Sequence, residues 1–253
     1  NSIWGFFSDT YADSVTNPSW GAHKFSGMAS HARNYHNLHW DTDTDLTTPD
    51  FAGMACKRGT HGQWWLDWHR EYRGWRGAGL EVQASIQFTS KMGQTEAAWT
   101  SPDAYTSAYN YGYAYAEHFG PTYGTGDVLT MEVGNEPDYS AAVYSDILLG
   151  MAKGAKAADA RMKVLPAIIV GKDMVRDGYL NRTHLRYLDG LNTHTYSWCS
   201  TSRGRTAIHP ESKVSLLRKD VLQKLRFRNQ YAPSLPLYVS EWGWDSAGAG
   251  EEC

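Results

Sequence analysis

Apolar and amphipathic segments alternate along this chain in a regular order. Residues 80–88 alternate between polar and apolar side chains, which is the two-residue period of a strand. Residues 214–227 carry leucines at helical spacing among lysines and arginines, which predicts an amphipathic helix. Similar patterns predict seven strands in all. The strands are expected over 3–7, 28–38, 80–88, from Val128 to Asn135-Glu136-Pro137, 163–170, from 185–191 to 192–198, and 236–240. The helices are expected over 61–76, 103–119, 140–160 and 214–227.

Strands that alternate with helices favour a parallel sheet covered by those helices. A chain of 253 residues is long enough for one large core, and a (β/α)8 TIM barrel of this size commonly forms a single domain. The residues after Glu241 are few and rich in glycine, so they leave no room for an eighth strand with its helix. We therefore expect an α/β fold, a single catalytic barrel domain over 1–253 that is truncated after strand 7 and lacks the last βα unit.

Composition and charge exclude several classes of partner. The net charge of −3 shows no basic excess, which argues against nucleic acid and anionic membranes as partners. No apolar run approaches the roughly 18 residues that span a bilayer. The 11 tryptophans and 16 tyrosines are many for this length, and those not filling the core can form platforms for sugar rings. The three cysteines, at 56, 199 and 253, have no metal-type spacing, and a Cys56–Cys199 disulfide can form in an exported protein.

Two glutamates stand at the predicted ends of strands. Glu136 ends the fourth strand, where Pro137 can neither donate to a sheet ladder nor follow a helical residue easily. Glu241 ends the seventh strand, and in an eight-stranded barrel these two strands lie across the pocket from each other. Two carboxylates roughly 5–5.5 Å apart suit glycoside hydrolysis with retention of configuration. The pair predicts a glycosidase that needs no cofactor and no metal.

The residues around both glutamates resemble a known family. Gly134-Asn135-Glu136-Pro137 and Ser240-Glu241-Trp242-Gly243 resemble the strand-four and strand-seven signatures of the clan A glycoside hydrolases, which are retaining TIM-barrel enzymes. The resemblance implies that Glu136 is the general acid/base and that Glu241 is the nucleophile. It further implies that Asn135 hydrogen-bonds the 2-hydroxyl of the sugar at the cleaved bond.

The same resemblance implies further contacts. His194 and Tyr196 match the strand-six position where a His or Tyr contacts the nucleophile, and a phenol there would help to keep Glu241 ionised. Arg33 matches a basic residue of strand two near the nucleophile, and His36 resembles a substrate contact. Candidate sugar platforms are Trp40, Trp198 and Trp244.

Several substrate classes are compatible with these signatures. Arg-x-x-His in strand two, the Glu-Val-Gly-Asn-Glu-Pro-Asp run and the abundance of Trp and Tyr are similar to the agarases and porphyranases that act on red-algal galactans. They are also similar to the β-xylosidase/iduronidase group and to cellulase- and mannanase-like members. Several tryptophans on predicted loops favour a polysaccharide endo-hydrolase. A polymeric substrate in turn implies a secreted or periplasmic protein.

Two alternative functions compete with a two-carboxylate glycoside hydrolase. A non-catalytic carbohydrate-binding barrel would share the aromatic platforms but would not need both carboxylates together with Asn135 and Tyr196. A metal-dependent hydrolase could use His31, His36 and His39, but in a strand His36 lies on the opposite face from His31 and His39. A chelator separates the two kinds of hydrolase, because a two-carboxylate enzyme does not respond to it.

Overall fold

A computed structural model describes residues 2–4, 22–37, 68–87, 104–168, 172–202 and 204–243. The chain divides into two compact units, Asn1–Leu188 and Asp189–Cys253. The expectation of one domain over the whole chain stays a prediction.

The first unit is built on a parallel sheet. Among the described residues of this unit, five strands pair in chain order, each with the next, and every pairing is parallel. They are β1 (Ser2–Trp4), β2 (His31–Asn37), β3 (Glu81–Gln87), β4 (Thr130–Val133) and β5 (Lys163–Pro166). The first five predicted strands are therefore confirmed, with shorter bounds at several ends.

Helices connect these strands, as a parallel sheet requires. A short 3-10 helix spans Ala22–Phe25, and the α-helices are α1 (Trp68–Gly77), α2 (Ala104–Phe119), α3 (Ala141–Ala158) and α4 (Arg182–Leu185). Helices α2 and α3 approach closely because glycines stand at their contact. A Cβ added at Gly154 would overlap the carbonyl oxygen of Tyr109, and one at Gly112 would overlap that of Met151.

The two faces of β3 show how the sheet separates core from site. Val82, Ala84 and Ile86 are buried towards one face, and the polar Gln83 and Ser85 are buried towards the other. This is the alternation read from residues 80–88. The apolar face packs under the helices, where the aromatic stripe of α1, Trp68, Tyr72 and Trp75, is fully buried. That stripe was expected to pack on the sheet, and its earlier members Trp64 and Trp65 lie outside the described residues.

The second unit contains a parallel pair of strands, a hairpin and a helix. Strand β6 (Leu191–Tyr196) is followed by β7 (Trp198–Thr201) and β8 (Gly204–Ala207), which form an antiparallel hairpin. Helix α5 (Leu216–Tyr231) leads to β9 (Leu237–Gly243), which pairs in parallel with β6. The sequence pattern did not predict the hairpin, because its strands are four residues each, too short to show a period.

Some predicted boundaries need correction. Residues 186–190 do not form strand, since α4 ends at Leu185 and β6 begins at Leu191. The last strand continues to Gly243, so Glu241 lies inside it. Helix α5 is longer than predicted, and no residue of it is fully buried. Cys199 is buried and disulfide-bonded, while Cys56 and Cys253 lie outside the described residues. None of the described helices has the length and apolar character needed to cross a membrane.

Glu71 of α1 gives the first unit a predictable dependence on pH. Its carboxylate accepts from Trp75 Nε1 at 2.8 Å and from Asn34 Nδ2 at 3.4 Å. Burial raises the pKa of Glu71 to about 7, against 4.5 for a free side chain. The folded state therefore holds this proton more tightly than the unfolded state does. The stability that it contributes is complete below about pH 4.5 and is lost as the pH rises through 7, in total about 3 kcal/mol.

We expect Glu71→Gln to reduce the loss of stability with rising pH, because the amide oxygen still accepts from Trp75 but carries no charge. Urea unfolding between pH 4.5 and 8 measures it. Glu117→Gln, which removes an exposed carboxylate of α2, should leave the slope unchanged. An unaltered slope in Glu71→Gln would contradict the role given to this proton.

Candidate active site

The backbone after β4 has an uncommon conformation. Gly134 has φ +95° and Glu136 has φ +46°, in the left-handed region that a residue with a Cβ seldom adopts. Pro137 restricts the preceding residue further. Such strain is concentrated at functional sites, where the surrounding structure holds it. The turn directs a half-buried Glu136 away from the strand's regular alternation.

Tyr144 of α3 fixes the start of this turn. Its hydroxyl donates to the Val133 carbonyl at 2.9 Å and accepts from the Ala167 N–H at 2.7 Å. Complete burial raises the pKa of Tyr144, so the hydroxyl stays neutral and can do both. The ends of β4 and β5 are therefore tied to one side chain.

A buried ion pair lies beside the turn. Arg33 of β2 donates from Nε to Glu132 Oε2 at 2.7 Å and from Nη2 to Glu132 Oε1 at 3.1 Å. The exposed fractions of the two side chains are 3% and 0%. Gln83 Nε2 also donates to Glu132, at 3.0 Å. This two-point geometry fixes the guanidinium plane.

The same guanidinium orients Asn135. Arg33 Nη2 donates to Asn135 Oδ1 at 2.8 Å. Because the carboxamide oxygen is engaged by a cation, its NH2 group is the part left to donate elsewhere. That is the polarity needed to hydrogen-bond a sugar hydroxyl oxygen. The sequence indicated Arg33 and Asn135 separately, and the structure brings them together.

In the second unit, a β-bulge directs Glu241. Thr193 pairs with Val239 and His194 pairs with Glu241, so Ser240 is the extra residue of β9. Ser240 Oγ donates to Asn192 Oδ1 at 2.6 Å. Successive side chains of a regular strand point to opposite faces, whereas a bulge brings two neighbours to the same side. Ser240 and Glu241 both contact β6 side chains for this reason.

Glu241 is held by the two residues that the sequence named for it. Tyr196 Oη donates to Glu241 Oε2 at 2.6 Å, and His194 Nδ1 lies 3.6 Å from the same oxygen. The Glu241 side chain is 9% exposed and that of His194 is 2% exposed. A short bond from a phenol fixes the direction of this nearly buried carboxylate.

His36 is not part of the group around Arg33. It lies on the helix-covered face of β2, fully buried, where Nδ1 is 2.6 Å from Tyr72 Oη and the ring stacks on Trp68. This position favours a packing role over the substrate contact that the resemblance implied. Of the other two histidines in the metal alternative, His31 lies 3.2 Å from Glu81, and His39 is outside the described residues.

The predicted sugar platforms are only partly described. Trp198 is half-buried on β7, and Trp40 and Trp244 lie outside the described residues. Trp242 is 57% exposed, and as the neighbour of Glu241 beyond the bulge it points to the other face of β9.

Three site residues were missed by reading the sequence, namely Glu132, Gln83 and Ser85. Ser85 Oγ donates to the Gly134 carbonyl at 3.3 Å, so it supports the same turn. The sequence signal that could have indicated them was the carboxylate of Glu132, two residues before Gly134 in an apolar strand. A buried carboxylate needs a cationic partner.

No protein-family model matches the chain, and no curated protein sequence matches it. Solved structures do. The chain matches a glucosidase from Croceicoccus marinus at 14% identity, covering 99% of this chain and 53% of that one, with a TM-score of 0.59. It matches a family 39 glycoside hydrolase from Bacteroides cellulosilyticus WH2 at 15% identity, covering 97% and 49%, with a TM-score of 0.57. It matches a hyperthermostable endo-1,4-β-D-mannanase from Thermotoga petrophila RKU-1 at 10% identity, covering 99% and 80%, with a TM-score of 0.59.

These likenesses establish the fold. The chain has the TIM-barrel fold of these glycoside hydrolases, which confirms the predicted fold class. It spans about half the length of the glucosidase and of the family 39 enzyme. In such barrels the residues at the carboxyl ends of the strands form the active-site face. In this chain Glu136 follows the carboxyl end of β4, and Glu241 lies two residues before the last residue of β9.

Proposed function

We propose that this protein is a retaining glycoside hydrolase that cleaves β-glycosidic bonds in a polysaccharide by double displacement. The observation that carries the proposal is the Glu241 carboxylate, nearly buried on β9 and held by Tyr196 at 2.6 Å. A binding protein has no need to immobilise an ionised carboxylate in this way. A nucleophile does, because it must attack one carbon along one direction.

Glu241 is the nucleophile in this proposal. Its carboxylate attacks the anomeric carbon and forms a glycosyl ester as the bond to the leaving oxygen breaks. Glu136 is the acid/base: its carboxyl proton passes to the leaving oxygen, and the resulting carboxylate then takes a proton from the water that hydrolyses the ester. Two displacements at one carbon retain the configuration.

Asn135 has a positioning and binding role. With its oxygen engaged by Arg33, its NH2 group donates to the sugar hydroxyl next to the anomeric carbon, a contact that strengthens as charge develops in the transition state. His194 is placed to help orient Glu241.

The substrate class is inferred from sequence resemblance. We propose a red-algal galactan such as agar or porphyran, on the strength of the strand-two and strand-four signatures. A β-xylosidase-like or a cellulase- or mannanase-like specificity is the alternative, and the solved structures similar to this chain include a glucosidase and a mannanase. Export to the periplasm or the medium is part of the proposal and is supported by the disulfide at Cys199, since disulfides persist in oxidising compartments.

A glycan panel tests the proposal. The protein is incubated with agarose, porphyran, xylan, mannan and carboxymethyl-cellulose, and new reducing ends are measured with and without chelator. The anomeric configuration of the first product is then read by proton NMR. We expect cleavage of one class, unaffected by chelator, with the β configuration retained. An α product or loss of activity with chelator would contradict the mechanism, and binding without cleavage would favour the carbohydrate-binding barrel.

A further inference from the structure

A cavity of about 640 Å³ opens in the second unit beside the first turns of α5. Its volume is within the range of small-molecule sites. The described side chains that line it include four cations and no carboxylate. The cations are Lys213, Arg218, Lys219 and Arg226.

These cations have no ion-pair partner among the residues that the structure describes. Across the described ranges, none of the four makes an ion pair or a hydrogen bond through its side chain. Like charges gathered around one concave surface raise its positive potential and attract anions. A bound anion would relieve their mutual repulsion.

The sequence shows the same concentration of charge. Residues 203–228 contain eight lysines and arginines and two acidic residues, in a chain whose net charge is −3. This segment therefore carries a net positive charge, while the remainder of the chain is net acidic. An overall charge near zero had concealed this asymmetry.

The cavity also has apolar walls. Val214 is 55% exposed and Leu222 is 40% exposed, and both line it. Lys219, Leu222 and Arg226 follow at helical spacing, so charge and apolar surface share one face of α5. A free inorganic anion would leave the apolar walls uncovered, whereas a sugar ring with an anionic substituent is complementary to both the charged and the apolar surface of the cavity.

We propose that this cavity binds anionic sugar units, carrying sulfate esters or carboxylates, of an acidic polysaccharide. The cavity is distinct from the residues around Glu241, which it does not include. That the bound glycan is also the one cleaved rests on the proposed function. The cavity then selects acidic polysaccharides and retains the protein on them.

Calorimetric titration tests the cavity. The probes are carrageenan oligosaccharides (sulfated), oligogalacturonate (carboxylated) and agaro-oligosaccharides (neutral), measured with the Glu241→Ala protein so that no hydrolysis intervenes. We expect an anionic probe to bind, more weakly as salt rises. Arg218→Gln/Arg226→Gln should raise its Kd by about tenfold or more, since two charge-assisted contacts are lost. Which anionic probe binds identifies the substituent.

The matched control is Arg182→Gln/Arg186→Gln, which removes two exposed arginines from the first unit and should leave the Kd unchanged. The inference is overturned if neither anionic probe binds, if both double variants bind alike, or if duplex DNA binds as tightly as the sugars. If the cavity binds an anionic probe but the wild-type protein cleaves no glycan, the inference is supported and the proposed hydrolase function is contradicted. If the wild-type protein cleaves neutral glycans and the cavity binds no probe, the hydrolase function is supported and the inference is contradicted.

Discussion

Replacing Glu241 with alanine is expected to abolish glycan hydrolysis, lowering kcat/KM on the order of 10⁴-fold, about 5 kcal/mol of transition-state stabilisation. The glycosyl ester cannot form without this carboxylate, which accepts a hydrogen bond from Tyr196 Oη at 2.6 Å. Reducing-end release from whichever glycan the wild type cleaves measures the effect. Glu211→Ala, which removes an exposed carboxylate of the same unit, should retain full activity.

Adding azide tests whether Glu241 is the nucleophile, which a loss of activity alone does not show. In Glu241→Ala the space vacated by the carboxylate can admit azide, which attacks the anomeric carbon from that side. The product is then a glycosyl azide with inverted configuration, because only one displacement takes place. Recovery of turnover with this product supports the nucleophile assignment. Full activity of Glu241→Ala without azide would show that the nucleophile lies elsewhere.

Much of the fold could be read from the sequence because its signals are local. The alternation in β3 and the leucine spacing of α5 each repeat several times within one element, and both elements are present. Asn135-Glu136-Pro137 marked the end of β4 because proline acts on its immediate neighbour. The β7–β8 hairpin offered no such repetition, since each strand has four residues.

The sequence indicated individual residues of the candidate site better than it indicated how those residues are arranged. Tyr196 and His194 were named for Glu241 from their position in strand six, and both contact it. The bulge at Ser240 was not foreseen, because it depends on the pairing of two strands about 45 residues apart. His36 was assigned to the substrate from its spacing after Arg33, yet alternation along β2 turns it to the other face.

Arg33 has a partner that the sequence did not indicate. Its expected place near the nucleophile stays a prediction, and the structure shows its guanidinium bound to Glu132, 99 residues away along the chain. We expect Arg33→Ala to destabilise the protein by about 3–5 kcal/mol, because it leaves the buried Glu132 carboxylate without its cation. Urea unfolding measures this. Arg186→Ala is the control, an exposed arginine of the same unit whose loss should change stability by less than about 1 kcal/mol. Equal effects of the two variants would contradict the buried pair.

A double variant separates the stability of this pair from its effect on Asn135. Arg33→Met/Glu132→Gln removes both charges, keeps similar volumes and leaves an amide oxygen to accept from Gln83. We expect most of the lost stability to return, because no uncompensated charge remains in the core. Activity should not return with it, since the bond from Arg33 to Asn135 Oδ1 is lost and the carboxamide can turn. The measurement is kcat/KM for the folded double variant. Wild-type kcat/KM in that variant would show that Asn135 needs no help from Arg33, whereas low activity at restored stability identifies Arg33 as a positioning residue.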